Sequence, residues 1–177
     1  MQTGTEIVGR YVLAFVESTG DVSPVFERKT REIFADNGLD VGEIDEDDWV
    51  DASAYADAMQ AIREEVGEKT LRQAGIEQAK NVTWPAEVQT VEDALEFVVQ
   101  ADGEAHRAPD GDYGSYTVDL VGETTARVGV TEAAPYPTEN FEGVFEGVVK
   151  SFTDSADVRV TETDRQGGER TAFEIGW

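Results

Sequence analysis

The sequence predicts an α+β domain in which N-terminal helices pack on a C-terminal four-stranded antiparallel sheet with the chain order β-β-α-β-β. Apolar residues recur at helical spacing through residues 1–102 and alternate with polar residues after Gly103. A single helix-spaced stretch interrupts this alternating half. We therefore predict one domain over residues 1–177, with a mainly helical part at 1–102 and a β-β-α-β-β part at 103–177.

Two helices are predicted at the N-terminal end. The first follows an apolar stripe that ends before Gly20, although its β-branched residues leave a strand possible. The second helix has Ser23 at the N-cap, Pro24 as its first residue and Gly38 just beyond its end. The first stripe consists of Ile7, Val8, Tyr11, Val12 and Phe15.

Three further helices are predicted after an acidic stretch at residues 40–51, which we interpret as a loop anchored by Trp49. The first of the three runs from Asp51 to Gly67. The next one ends near Trp84, because a residue that precedes proline disfavours helix. The last starts at Thr90 and extends to Gly103.

Two hairpins are predicted in the second half. Tyr116 to Leu120 and Ala126 to Val130 alternate apolar and polar residues on either side of a break at 122–123. Residues 158–160 and 173–177 alternate in the same way around a turn at Gly167 and Gly168. Both pairs are typical of antiparallel strands.

The helix between these hairpins contains two glycines, Gly143 and Gly147, and each costs about 1 kcal/mol relative to alanine. Both lie opposite an apolar stripe that we expect to cover the sheet. The glycines therefore indicate a close contact with another helix of the chain, with a twofold mate or with a ligand. The stripe consists of Phe141, Val144, Phe145, Val148, Val149 and Phe152.

The charge of the chain is strongly negative. It has 38 acidic and 14 basic residues, a net charge of −24, and the acidic residues are spread along its whole length. This charge disfavours nucleic acid as a partner. The even spread suits the cytoplasm of a halophile, where a Debye length of about 3 Å at 1 M salt screens the repulsion.

The sequence contains no cysteine, which excludes disulfides and thiol chemistry. No apolar run approaches the length of a membrane span, and the N-terminus lacks a basic targeting segment. We therefore expect a soluble cytoplasmic protein without a membrane span.

The predicted helices and strands, with "YPTENFEGVFEGVVKSF" and "VRVTETDRQGGERTAFEIGW", resemble the 4-vinyl reductase family of domains. That family belongs with haem nitric-oxide-binding domains and a class of vesicle-trafficking (TRAPP complex) subunits in one ligand-binding superfamily. The strongest matches are the glycine-bearing helix and the hairpin that ends in "FEIGW". The resemblance implies an α+β fold, a homodimer and a pocket for an apolar small molecule, but no defined reaction. Relatives commonly carry cysteines where this chain has Thr138, Asp164 and Thr171, so no thiol or zinc chemistry is expected.

His106 is the only histidine of the chain. A haem-binding relative would need an axial histidine on a helix and a Tyr-x-Ser-x-Arg motif, and the segment from Tyr113 ends in Thr117 instead of arginine. We therefore expect no haem, no other cofactor and no metal. A Ser-His-Asp triad would have to use His106 without a nucleophile-elbow motif, so no catalytic residue is predicted.

Five residues near the ends of predicted elements are candidate ligand contacts, because pockets open at such places. We predict a small-molecule-binding or sensing module that acts through a partner protein. The alternative is an adaptor or structural subunit that dimerises through the face of Gly143 and Gly147. An enzyme would need a carboxylate pair that the sequence does not single out. The five candidates are Trp84, His106, Arg107, Tyr113 and Tyr136.

Overall fold

The computed structural model describes residues 4–109, 111, 116–131, 135–161 and 168–177. In these residues the chain forms six α-helices and seven strands, and the strands make two antiparallel sheets, so the predicted α+β class is confirmed. The helices are α1 (Gly9–Val22), α2 (Pro24–Asp36), α3 (Ala52–Glu65), α4 (Glu68–Lys80), α5 (Val91–Ala105) and α6 (Thr138–Lys150), with a 3-10 turn at Val41–Glu43. The strands are β1 (Glu6–Val8), β2 (Trp49–Asp51), β3 (His106–Arg107), β4 (Tyr116–Gly122), β5 (Thr125–Thr131), β6 (Asp157–Thr161) and β7 (Glu169–Gly176).

The larger sheet has the strand order β4-β5-β7-β6, with every neighbouring pair antiparallel. Val128 of β5 lies opposite Val118 on one side and Phe173 on the other. The inner-facing residues of β5 and β7 are buried. Helix α6 packs on this face, and the ring centroid of Phe145 lies 5.4 Å from that of Phe173. The predicted β-β-α-β-β arrangement is therefore present.

The smaller sheet, with the order β2-β1-β3, differs from the prediction. Ile7 and Val8 belong to a strand, and the helix begins only at Gly9, whose amide donates to the Asp48 carbonyl at 2.7 Å. Trp49 lies in strand β2 rather than in a loop. The β-branched residues become a strand because β2 and β3 supply hydrogen-bond partners on both sides of β1. In this sheet Ile7 of β1 lies opposite His106 of β3.

The predicted helix signals at two N-termini are confirmed. The Ser23 side chain accepts a hydrogen bond from the Phe26 amide at 3.0 Å, and Thr90 forms a reciprocal capping box with Asp93. Helices α1 and α5 nevertheless continue through Gly20 and beyond Gly103. A glycine within a helix costs only about 1 kcal/mol, so packing of the remaining residues outweighs it.

The two glycines of α6 lie against the backbone of α4. A Cβ atom on Gly147 would lie 2.6 Å from the carbonyl oxygen of Ile76, and one on Gly143 would collide with the carbonyl of Arg72. Gly75 of α4 makes the same kind of close backbone contact, because its Cβ would lie 2.5 Å from the carbonyl oxygen of Asn140. Of the three contacts that the sequence left open, the structure has the one within the chain. Helix α4 therefore covers the face that was proposed for dimerisation. A homodimer stays a prediction, but this face cannot be its interface.

Within the described ranges, no helix combines the length and the apolar character that a membrane span requires.

Candidate functional site

A cavity of about 460 Å³ lies between the helices and is lined by residues of α1, α3, α4, α5 and α6. This volume falls in the range of small-molecule and cofactor sites, about 300–1,000 Å³. Most of its wall is apolar, so an apolar ligand would be desolvated there. Apolar lining residues include Ala14, Met59, Phe97, Val98, Val144 and Val148.

His106 lies in this wall, directly after α5 and at the start of β3. Only 5% of its side chain is exposed. Its Nδ1 atom is 3.1 Å from the carbonyl oxygen of Asp102, one helical turn back, and its Nε2 atom is 2.6 Å from the Tyr136 hydroxyl. Burial lowers the pKa of His106, and the hydrogen bond to the Asp102 carbonyl opposes this shift only in part. The imidazole is therefore neutral at pH 7.

Tyr136 lies between two prolines just before α6, and its ring is buried in the cavity wall. The ring packs edge-on against Tyr55, with centroids 5.2 Å apart. The Arg170 guanidinium donates a hydrogen bond to the Tyr136 carbonyl and stacks over Phe141 at 5.4 Å. Backbone and ring are thus both held, and the hydroxyl points at His106.

Asn140 is a buried polar residue that also lines the cavity. In the portion of the chain that the structure describes, its amide nitrogen Nδ2 has no hydrogen-bond partner. An unsatisfied buried donor costs about 1–3 kcal/mol, which an acceptor on a ligand would recover.

Helix α1 contributes two further polar residues to the wall. The Tyr11 hydroxyl donates to the Ala101 carbonyl at 3.1 Å and so joins α1 to α5, while burial raises its pKa. Arg10 brings a cationic group to the cavity wall. A ligand with an acidic substituent would find its counter-charge there.

The structure brings together two of the five predicted site residues, His106 and Tyr136. Trp84 packs edge-on against the cavity residue Phe97, with ring centroids 5.6 Å apart, and lies behind the wall. Arg107 is exposed and lies outside the cavity wall. Its guanidinium pairs with Glu6 at 2.5 Å and stacks over the ring of Trp49. The reason is strand alternation, which places consecutive residues of β3 on opposite faces. Tyr113 lies outside the described residues.

Sequence reasoning missed Asn140, Arg10 and Tyr11. A signal existed for Asn140, because it stands four residues before Val144 and eight before Val148 on one face of α6. A polar residue in line with apolar ones indicates a buried polar group. Tyr11 was placed in the apolar stripe of the first helix, but that pattern does not distinguish a cavity residue from a core residue, and Arg10 carried no signal.

The fold of this chain occurs in known structures. An oxygen-binding H-NOX domain related to soluble guanylate cyclases matches with a TM-score of 0.67 and 16% identity, over 96% of this chain and 94% of that one. A structure from work on haem distortion in the H-NOX family matches with a TM-score of 0.68 and 15% identity, over 97% and 95%. An iron(II) unliganded H-NOX variant from K. algicida matches with a TM-score of 0.68 and 14% identity, over 96% of both chains.

No protein-family model matches the sequence, and no curated protein sequence matches it. At 14–16% identity, the structural likeness establishes the fold, which is that of H-NOX domains. The resemblance to 4-vinyl reductase domains is therefore wrong. Its strongest motifs lay in the glycine-bearing helix and the closing hairpin, and the arrangement of the whole chain favours the H-NOX fold instead.

The expectation that haem has no place in this protein is overturned as well, because the matched structures include ones from work on haem distortion and on haem redox potential. The cavity fits such a group in three respects. Its wall is apolar, Asn140 offers an unsatisfied donor, and the neutral His106 has its Nδ1 held by a backbone carbonyl, as is usual for metal-binding histidines. The sequence argument relied on a missing propionate motif and on a histidine outside the predicted helix. Helix α5 is longer than predicted, because it extends beyond Gly103 to Ala105, and His106 is its C-cap.

The described residues contain no group of three or more His, Asp or Glu side chains suited to holding a bare metal ion. A metal at His106 would therefore have to arrive within a larger ligand that supplies its other donors.

Proposed function

We propose that this protein is a small-molecule-binding sensor module that holds a haem-type metalloporphyrin in the cavity between its helices. The observation that carries the proposal is the neutral His106 imidazole in the wall of a mainly apolar cavity. The H-NOX fold supports it, because structures with that fold include an oxygen complex and studies of haem distortion.

Each part of such a ligand has a matching group in the wall. His106 would hold the metal through Nε2, and its bond to the Asp102 carbonyl fixes the orientation of the ring. Arg10 would pair with an acidic substituent, and the valines of α5 and α6 would pack against the macrocycle. When bound, an iron porphyrin supplies an open metal position for a small gaseous molecule. The apolar wall would keep water away from that position.

Two sequence-based expectations complete the proposal. We propose that the module works in a cytoplasm of high salt and passes its signal to a partner protein. The even spread of acidic residues supports the first, and the second remains an expectation for a sensing module.

The test is titration with iron protoporphyrin IX in molar potassium chloride, followed by absorption spectroscopy and native mass spectrometry. We expect saturable binding of one porphyrin per chain, with a spectrum that changes in His106→Gln. The matched control is Gln78→Ala, which alters the cavity wall but leaves His106 in place. Binding that never saturates, or a His106→Gln spectrum identical to that of the parent protein, would refute the proposal.

A further inference from the structure

The hydrogen bond between Tyr136 and His106 has a definite direction. Nδ1 of His106 is 3.1 Å from the Asp102 carbonyl oxygen, and a carbonyl can only accept, so Nδ1 carries the proton. In a neutral imidazole the other nitrogen is then an acceptor. The Tyr136 hydroxyl therefore donates to Nε2 across 2.6 Å, and the lone pair that a ligand would use is engaged by a side chain of the protein.

Tyr136 is held in this position from several directions. Its carbonyl accepts from Arg170 of β7, its ring packs on Tyr55 of α3, and the residue lies between Pro135 and Pro137. The two prolines restrict the backbone angles of the segment, so the hydroxyl is pre-positioned. The contact is therefore part of the folded structure, and a ligand must compete with it.

We propose that Tyr136 gates His106 and sets the ligand specificity of the cavity: a ligand reaches Nε2 only by displacing the Tyr136 hydroxyl. The cavity then favours molecules that offer Nε2 an electrophilic metal or a hydrogen-bond donor, and discriminates against molecules of the same shape that offer neither. This inference rests on the proposed binding function and adds a selection rule to it. A simple acceptor, such as a carbonyl group, gains nothing at His106.

The test compares iron protoporphyrin IX with metal-free protoporphyrin IX, which has the same outline but no metal for Nε2. In Tyr136→Phe, we expect the affinity for the iron form to rise about 2- to 12-fold, the equivalent of one net hydrogen bond. The affinity for the metal-free form should stay the same. Tyr55→Phe removes another aromatic hydroxyl from the wall without touching His106, and should shift both affinities by the same factor. Equal changes for both porphyrins in Tyr136→Phe, or a selective loss of the iron form, would overturn the gate.

A second measurement needs no porphyrin. His106 is the only histidine, so the absorbance change at the imidazole during acylation by diethyl pyrocarbonate reports on this residue alone. The unprotonated nitrogen is the nucleophile, so its release from Tyr136 should speed the reaction about 2- to 12-fold in Tyr136→Phe. An unchanged rate would overturn the gate. A faster rate in a protein that binds neither porphyrin would support the gate and refute the haem assignment, which keeps the two failures distinct.

Discussion

Gly143 of α6 lies directly on the carbonyl of Arg72 in α4, with no room for even one methyl group between the two backbones. Gly147 makes the corresponding contact with Ile76, one turn further along both helices. The helix-propensity cost of the two glycines is thus offset by the close approach of α4, which in turn places α6 between α4 and the sheet.

Replacing Gly143 by alanine should destabilise the protein, because the new methyl group must push two helix backbones apart. Overpacking of this kind costs about 1–3 kcal/mol, and the melting temperature should fall by roughly 2–12 °C. Differential scanning calorimetry measures the effect.

Gly20 provides the matched control, since it also lies inside a helix. Its Cβ would lie 3.0 Å from a carboxylate oxygen of Glu27, which is the mobile end of a long side chain. Gly20→Ala should therefore be neutral or stabilising by up to about 1 kcal/mol. If both alanine variants melt at the same temperature, the close packing of α4 on α6 is incorrect.

A second substitution removes one partner of the ion pair between Arg127 of β5 and Glu169 of β7. The two side chains are only 11% and 5% exposed, so each charge depends on the other. Glu169→Gln leaves the guanidinium buried without its main counter-charge, which costs about 3–5 kcal/mol. We expect the urea midpoint to fall clearly while the slope of the transition stays constant.

The exposed pair of Arg159 and Asp157 is the comparison for that experiment, with 68% and 55% of the side chains exposed. Asp157→Asn should leave the urea midpoint within measurement error, because solvent screens the pair. An equal loss in both variants would contradict the burial of the Arg127 pair.

Glu142 of α6 should produce a pH-dependent stability. Burial raises its pKa, Arg72 opposes the shift, and the neighbouring Glu146 and Glu139 add to it. The folded state then holds the proton more tightly than the unfolded state does, so stability falls as the pH rises from 4.5 through the higher pKa of the folded state. Glu142→Gln should be more stable than the parent protein at pH 7 and equal to it near pH 4.

Glu146→Gln removes the same charge from the same helix, but here the carboxylate pairs with Arg72 at 2.8 Å and with Lys150 at 2.5 Å. It should lower the melting temperature at pH 7. A stabilising effect of both substitutions would show that the total charge, rather than the burial of Glu142, determines the result.

Salt should stabilise the fold, because a net charge of −24 on 177 residues repels itself at low ionic strength. Raising potassium chloride from 0.1 M to 2 M shortens the Debye length to about 3 Å or less and should raise the melting temperature. Sodium chloride at equal concentration should act alike, since screening does not depend on the cation. A melting temperature that is flat or falls with salt would contradict the halophile expectation.

Much of the architecture could be predicted from local signals. Ser23 and Thr90 marked two helix starts, because a side-chain cap acts within one turn of the chain. The strands of the larger sheet followed from alternating residues around two turns. Strand β1 could not be settled in this way, because its β-branched residues suit either structure and the partners β2 and β3 are distant in sequence.

The candidate site was only partly predictable. His106 and Tyr136 were selected as residues near element ends, but their contact spans 30 positions and depends on how α5 and α6 pack. Arg107 was placed with them because it adjoins His106, and the alternation of β3 directs it to the other face.

The sequence by itself determined the composition-level properties of this protein, namely its acidity and its lack of cysteine, together with the α+β class and the starts of helices α2, α3 and α5. These depend on residues that are near one another in the chain. Only the tertiary structure decided which helix the glycines of α6 contact, and that a neutral histidine faces a cavity with its Nε2 engaged by a tyrosine. Both relationships join elements far apart in sequence. The burial of these residues and the direction of the hydrogen bond between Tyr136 and His106 are therefore fixed only when those elements pack.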